Sequence, residues 1–158
     1  MAVNLPPFQV FLDGHREDVY RFLMALVGPN DAEDCFQETF LAALRGYPKL
    51  RDASNLKGWV LTIAHSKAMD SHRSLSRRPE PVPEVPDRAT APTADGFGDP
   101  ALWSVVRELP QKQRTAVVAR YVNDLAYRDI AKMTGGTEEA ARRNAADGIK
   151  KLREEWAR

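Results

Sequence analysis

The sequence predicts an all-α chain: two small helical domains joined by a flexible linker, the second containing a helix-turn-helix. Three observations carry that prediction. Apolar residues recur at spacings of three and four in both halves and nowhere alternate as strand residues do. Residues 79–100 hold six of the eleven prolines, with Ala, Thr, Gly and Asp between them, which excludes a helix or a central strand. Residues 125–156, LAYRDIAKMTGGTEEAARRNAADGIKKLREEW, place two helical periods on either side of a Gly-Gly turn.

Residues 11–27 read as a first amphipathic helix, with Val19, Phe22, Leu23 and Leu26 inward and Gly28-Pro29 as the stop. Asp31 is expected to cap a second helix running to about Leu44, with Glu33 and Asp34 favoured near its positive end. Its apolar stripe is Phe36, Phe40, Ala43 and Leu44. Asp34, Gln37, Glu38 and Leu41 share another side, which is either plain solvated surface or a docking face for a basic partner. GYPKLRDASN (46–55) has loop composition. A third helix is expected over 56–76 with Trp59, Val60, Ile63, Ala64 and Met69 inward; among those neighbours Trp59 reads as core rather than as a base-stacking platform.

Residues 79–100 are expected to form an extended, mobile linker spanning some tens of ångströms. Leu102, Val105, Val106 and Leu109 begin the second domain as a short helix, and Pro110 suits the first turn of the next, which carries Ala116, Val117, Tyr121 and Val122 and ends near Asn123-Asp124. In the helix-turn-helix, Ala131 is the small residue needed where the helices touch and Gly135 the residue needed where the backbone reverses. Thr137 is the expected cap of the last helix, with Glu138 and Glu139 in its first turn. Ala141, Ala145, Ile149, Leu152 and Trp156 form a stripe for burial. The opposite face carries Arg142, Arg143, Asn144, Lys150 and Arg153: guanidinium forks for guanine edges, an amide for adenine and cations for phosphates. A basic face on an amphipathic helix is also the ordinary form of a solvated face.

A formal net charge of +1 conceals an uneven distribution. Residues 1–78 hold 10 Lys and Arg against 9 Asp and Glu, residues 79–100 hold 1 against 5, and residues 101–158 hold 12 against 8. A basic C-terminal module behind an acidic connector argues against indiscriminate coating of nucleic acid. No run approaches the roughly 20 apolar residues of a bilayer span, and MAVNLPPFQV shows no export signal, so no membrane insertion and a cytoplasmic location are expected. The single Cys35 excludes an internal disulfide framework and reads as a buried, inert thiol.

Catalytic and cofactor signatures are absent: no HExxH, P-loop, GxGxxG or GxSxG occurs. His65 and His72 are two helical turns apart, roughly 10.5 Å, too far to share one metal. Asp34 and Glu38 lie at i, i+4 without an apolar pocket to raise a pKa. The chain is therefore expected to be no enzyme and to need neither metal nor cofactor.

These residues resemble the extracytoplasmic-function (ECF) subfamily of bacterial RNA polymerase sigma factors, in the sigma-70 class. DAEDCFQETFLAAL (31–44) is similar to the family's polymerase-binding segment, and GWVLTIAHSKAMDSHR (58–73) to its promoter-melting, −10-reading helix. LPQKQRTAVVARYVNDLAYRDIAKMTG (109–135) followed by TEEAARRNAADGIKKLRE (137–154) is similar to its −35-reading domain. The resemblance implies core RNA polymerase and promoter DNA as partners and a separate anti-sigma factor as inhibitor. It implies that Asp34, Gln37, Glu38 and Leu41 dock on the largest polymerase subunit and that loop residues 48–55 help hold a flipped −10 base. It places Lys57, Ser66, Lys67, Asp70 and Arg73 along the −10 single strand, and Arg142, Arg143, Asn144 and Lys150 on the −35 duplex. The corresponding domains would be 1–78 and 101–158, with 79–100 threading between. The chain departs from the family pattern at His65-Ser66, where Arg-Asn is usual, at Gly136, where an apolar residue closes the turn, and at Asp147, where a cation is common. The competing reading is a helix-turn-helix regulator whose N-terminal half senses a ligand or dimerises.

Overall fold

The computed structural model describes residues 4–77 and 99–156, with side chains 73–77 outside the description. The stretch expected as a linker therefore lies, but for Asp99 and Pro100, outside the described residues, and so does the side chain of Arg73. Among the described residues seven α-helices follow in order: α1 (Phe8–Val27), α2 (Pro29–Gly46), α3 (Leu56–Arg77), α4 (Pro100–Glu108), α5 (Gln111–Val117), α6 (Tyr127–Thr134) and α7 (Glu138–Trp156). Among the described residues there is no strand.

Helices α1, α2 and α3 pack mutually, each against both others. Val19, Phe22, Leu23 and Leu26 of α1 meet Ala32, Phe40 and Ala43 of α2 and Val60, Leu61, Ala64 and Ala68 of α3 in one buried cluster. Each fully buried Phe or Leu contributes about 1.5–3 kcal/mol of transfer free energy, so this cluster fixes the first half. An aromatic group of Phe8, Phe11, Tyr47 and Trp59 closes one end, with Trp59 5.7 Å from the Phe11 ring centroid and 6.3 Å from that of Tyr47. Trp59 is packing, not platform.

Several local expectations are corrected. Helix α2 starts two residues before Asp31, with Pro29 in its first turn and Gly28, at φ 82°, as N-cap, so Asp31 is an acidic first-turn residue and not the cap. The inner face of α2 is Ala32, Cys35, Thr39, Phe40 and Ala43, whereas Leu44 is 51% exposed. Asn55, in the loop, caps α3 by accepting the Gly58 N–H at 3.0 Å.

In the second half α4 begins at Pro100, with Asp99 as N-cap accepting the Ala101 N–H. Helix α5 widens into a π-helical turn over Val118–Val122, which carries Tyr121 outward, 60% exposed, and ends at Asn123. Asp124 then takes a left-handed conformation at φ 55°. Helix α6 stops at Gly135, φ 74°, whose successor Gly136 donates to the Ala131 carbonyl at 3.0 Å, a left-handed cap that suits glycine. Thr137 caps α7 by accepting the Ala140 N–H at 3.0 Å. Along α7, Ala141, Ala145 and Gly148 are buried against α5 and α6, but the stripe fails at its end: Trp156 is 50% exposed.

Candidate nucleic-acid interface

Helix α2 keeps Asp34, Gln37, Glu38 and Leu41 on one exposed face, as their i, i+3, i+4, i+7 spacing requires. Sequence reasoning missed Leu44, which its spacing from Leu41 places one turn further along the same side. The result is an acidic strip, with Glu33 accepting from Gln37, ending in two bare leucines. Beneath it Thr39 and Cys35 are buried, and burial pushes the Cys35 thiol up to about 11.

On α3, Lys57 and Lys67 are half-buried while Ser66 and Asp70 are exposed, so the four described −10 candidates differ in access. The preceding loop is open to solvent at Pro48, Lys49, Arg51, Asp52, Ser54 and Asn55. Asp52 accepts the Ser54 N–H at 2.9 Å, which holds its carboxyl below the usual range, with a smaller pull from Lys132 of α6.

In the helix-turn-helix, Arg142, Arg143 and Lys150 are exposed on α7 and Asn144 is half-buried. Arg142 donates to Glu138 at 2.8 Å and lies 5.3 Å from the Tyr127 ring centroid; Arg120 lies over the same ring at 4.7 Å. Tyr127 thus orients two guanidinium groups, a role no spacing pattern announced. Asp147, on the outer face, is exposed.

A cleft of about 360 Å³ separates α3 from the helix-turn-helix and is lined by His65 and Met69 on one side and by Gln111, Thr115, Gly136 and Asn144 on the other. Burial lowers the pKa of His65, favouring its neutral form. The departure at His65 and the adenine-reading candidate Asn144 therefore face one space. Among the described residues no group of three or more His, Cys, Asp or Glu is placed to hold a metal, and no helix is long and apolar enough to cross a membrane.

The sequence pattern of the family described as Sigma-70 region 2 matches residues 11–78, and that described as Sigma-70, region 4 matches residues 100–152. The chain belongs to the sigma-70 family. The RNA polymerase sigma factor CarQ of Myxococcus xanthus is 31% identical over 153 residues, covering 93% of this chain and 87% of CarQ. SigV of Bacillus subtilis, also an RNA polymerase sigma factor, is 26% identical over 140 residues, covering 88% and 84%. The ECF RNA polymerase sigma factor SigX of the same organism is 25% identical over 158 residues, covering 92% and 81%. In fold, the chain is similar to the sigma factor RpoE from Bartonella quintana, solved with the anti-sigma factor NepR, at TM-score 0.77 and 22% identity over 93% of this chain and 94% of that one.

This ECF sigma factor directs promoter-specific initiation of transcription by core RNA polymerase. Sigma factors as a class bind core polymerase and DNA, and they are not enzymes. A regulator that senses a ligand with its first half is not favoured, since that half is the matched region 2.

Proposed function

We propose that the two halves of this sigma factor divide its work by residue as follows. The exposed strip Asp34, Gln37, Glu38 and Leu41, extended by Leu44, docks on a basic surface of the largest polymerase subunit. Lys57, Ser66, Lys67, Asp70 and Arg73, with loop 48–55, hold the −10 strand once it is opened. Unstacking one base costs a few kcal/mol, which the pocket contacts must offset. Arg142, Arg143 and Asn144 read the −35 duplex from the major groove, and Lys150 binds phosphate. Region 2 would occupy 1–78 and region 4 101–158, with 79–100 crossing the polymerase between them, and the protein works in the cytoplasm.

The observation that carries this reading is the exposure of Arg142 and Arg143 within two turns of the cap at Thr137, the part of a recognition helix that enters the groove. Permanganate footprinting at −10, paired with DNase I footprinting at −35, tests the division: in promoter complexes a Ser66→Ala, Lys67→Ala variant should lose −10 melting while keeping protection at −35. Equal loss at both elements contradicts it. A separate anti-sigma protein as inhibitor is also part of the proposal, supported by the RpoE–NepR complex to which the fold is similar.

A further inference from the structure

Glu138 stands at the start of the candidate recognition helix, where a carboxylate repels the phosphates that the helix must pass. Its Oε1 accepts from Arg142 Nη2 at 2.8 Å. The Arg142 guanidinium carbon is also 5.3 Å from the centroid of the Tyr127 ring, and that of Arg120 lies over the same ring at 4.7 Å. Arg120 is tied down by donating through Nη1 to the Leu125 carbonyl at 3.1 Å. Two cations thus converge on one aromatic ring, and Glu138 places a negative charge on the one that faces outward along α7.

The helix does not need Glu138 for its own ending. The Thr137 hydroxyl already accepts the Ala140 N–H at 3.0 Å, and Glu139 supplies a second carboxylate to the positive end of the dipole. The pair with Arg142 is what distinguishes the two neighbours.

The charge balance of α7 points the same way. EEAARRNAADGIKKLREEW holds five Asp and Glu against five Lys and Arg. Sequence-independent affinity for duplex comes from cations that neutralise phosphates, and a helix without net charge gains little of it. What remains is the base edges, which differ from phosphate in one respect that matters to a carboxylate. Cytosine N4 and adenine N6 present N–H donors in the major groove, whereas a phosphate oxygen presents none. When Arg142 turns to a guanine, the carboxylate it leaves can accept from a neighbouring amino group; when Arg142 turns to a phosphate, the carboxylate is left against a second negative charge.

We propose that Glu138 is a specificity-determining residue of the −35 reader: paired with Arg142, its carboxylate penalises phosphate contacts by that guanidinium and tolerates base-edge contacts. Discrimination then comes from weakening the wrong complexes as much as from strengthening the right one. The inference rests on the assignment of Arg142 to the −35 duplex in the proposed function.

The test measures binding of the polymerase complex to two promoter fragments that differ only at −35, one carrying the element preferred in a randomised library and one a scrambled element, over a series of salt concentrations. Glu138→Gln keeps the shape and removes the charge. It should bind the scrambled fragment about fivefold more tightly, as expected for removing one close like-charge contact in water, and leave the preferred fragment unchanged. On the scrambled fragment the logarithmic salt slope should steepen by about one, the signature of one more neutralised phosphate. Helical circular dichroism and the thermal midpoint should stay at the wild-type values. Glu139→Gln, which removes the same charge from the same turn without touching the Arg142 pair, should shift both fragments by a common factor. An unchanged ratio of affinities in Glu138→Gln, or the same change of ratio in Glu139→Gln, overturns the proposal. Arg142→Ala separates that failure from one of the underlying assignment. Loss confined to the preferred fragment upholds the assignment and leaves the Glu138 result to decide, whereas equal loss on both fragments overturns the assignment and the Glu138 proposal with it.

Discussion

Arg142 and Glu138 form an ion pair of 2.8 Å across one turn of α7, with the guanidinium also over Tyr127. Both side chains are about half exposed, at 56% and 48%, so the pair contributes only about 0.3–0.5 kcal/mol and is readily exchanged for a base edge. The pair orients the guanidinium without committing it. Arg142→Ala should cost about 1–3 kcal/mol of promoter affinity if the fork takes a guanine, and the loss should depend on the −35 sequence. Titration of the polymerase complex against a panel of −35 variants checks this; an equal loss on every sequence shows a phosphate contact only.

On α2, Glu38 is exposed and the residues beneath it are packed, so charge reversal should leave the fold intact. Glu38→Lys is expected to weaken binding to core polymerase severalfold while the thermal midpoint stays within about two degrees, since surface substitutions usually fall within about 0.5 kcal/mol. Unchanged affinity in a fluorescence titration with core enzyme contradicts the docking assignment.

His65, His72 and His15 are all lowered from the ordinary 6.5, in each case chiefly by burial. For His72 the neighbouring Arg114 lowers it further, while the Leu26 carbonyl and Asp31 pull the other way. A base whose folded pKa lies below its unfolded value binds more protons when unfolded. Its neutral form is unpenalised above pH 6.5, and stability is lost as pH falls from 6.5 through the lowered folded values. Urea midpoints should therefore drop between pH 7.5 and 5.5, and His65→Gln should flatten that dependence.

Cys35 lies 3% exposed with its thiol pushed up to about 11, first by burial. At pH 8 its alkylation should be on the order of a hundredfold slower than that of an ordinary exposed thiol, and should recover in denaturant. Fast labelling of the native chain would show that α2 and α3 separate readily there.

Gly148 lets α7 pack tightly on α5: a Cβ there would stand 2.5 Å from Val117 Cγ2 and 3.4 Å from the Gln113 carbonyl. Gly148→Ala gains roughly 0.5–1 kcal/mol of helix propensity but forces an overpacked contact costing about 1–3 kcal/mol. Net destabilisation is expected in equilibrium urea unfolding; a stabilised variant would mean that the two helices can part.

Much of the fold was legible because its signals are local. The reversal at Gly135 and the cap at Thr137 need only the conformational freedom of glycine and the reach of one hydroxyl, and both stand where the sequence places them. The inner face of α1 follows from spacing alone. What failed was long-range. Leu44 and Trp156 have apolar spacing but among the described residues stay about half exposed, and periodicity cannot say which positions a neighbour will cover. Asn123 reads as an ordinary helix end, yet it crosses 105 positions to reach Asp18. Of the candidate site, the exposure of the α2 strip and of Arg142 and Arg143 was legible from their helical positions, whereas Tyr127 as the support of Arg142 and the shared cleft of His65 and Asn144 arise only from packing.

Run-off transcription with purified core polymerase on a promoter library, with the chain supplied or withheld, is the most direct measurement. The account predicts discrete transcripts that require the chain, fall with Glu38→Lys on all templates, and shift in −35 preference with Arg142→Ala. Failure of the wild-type chain to start transcription from any template would contradict it.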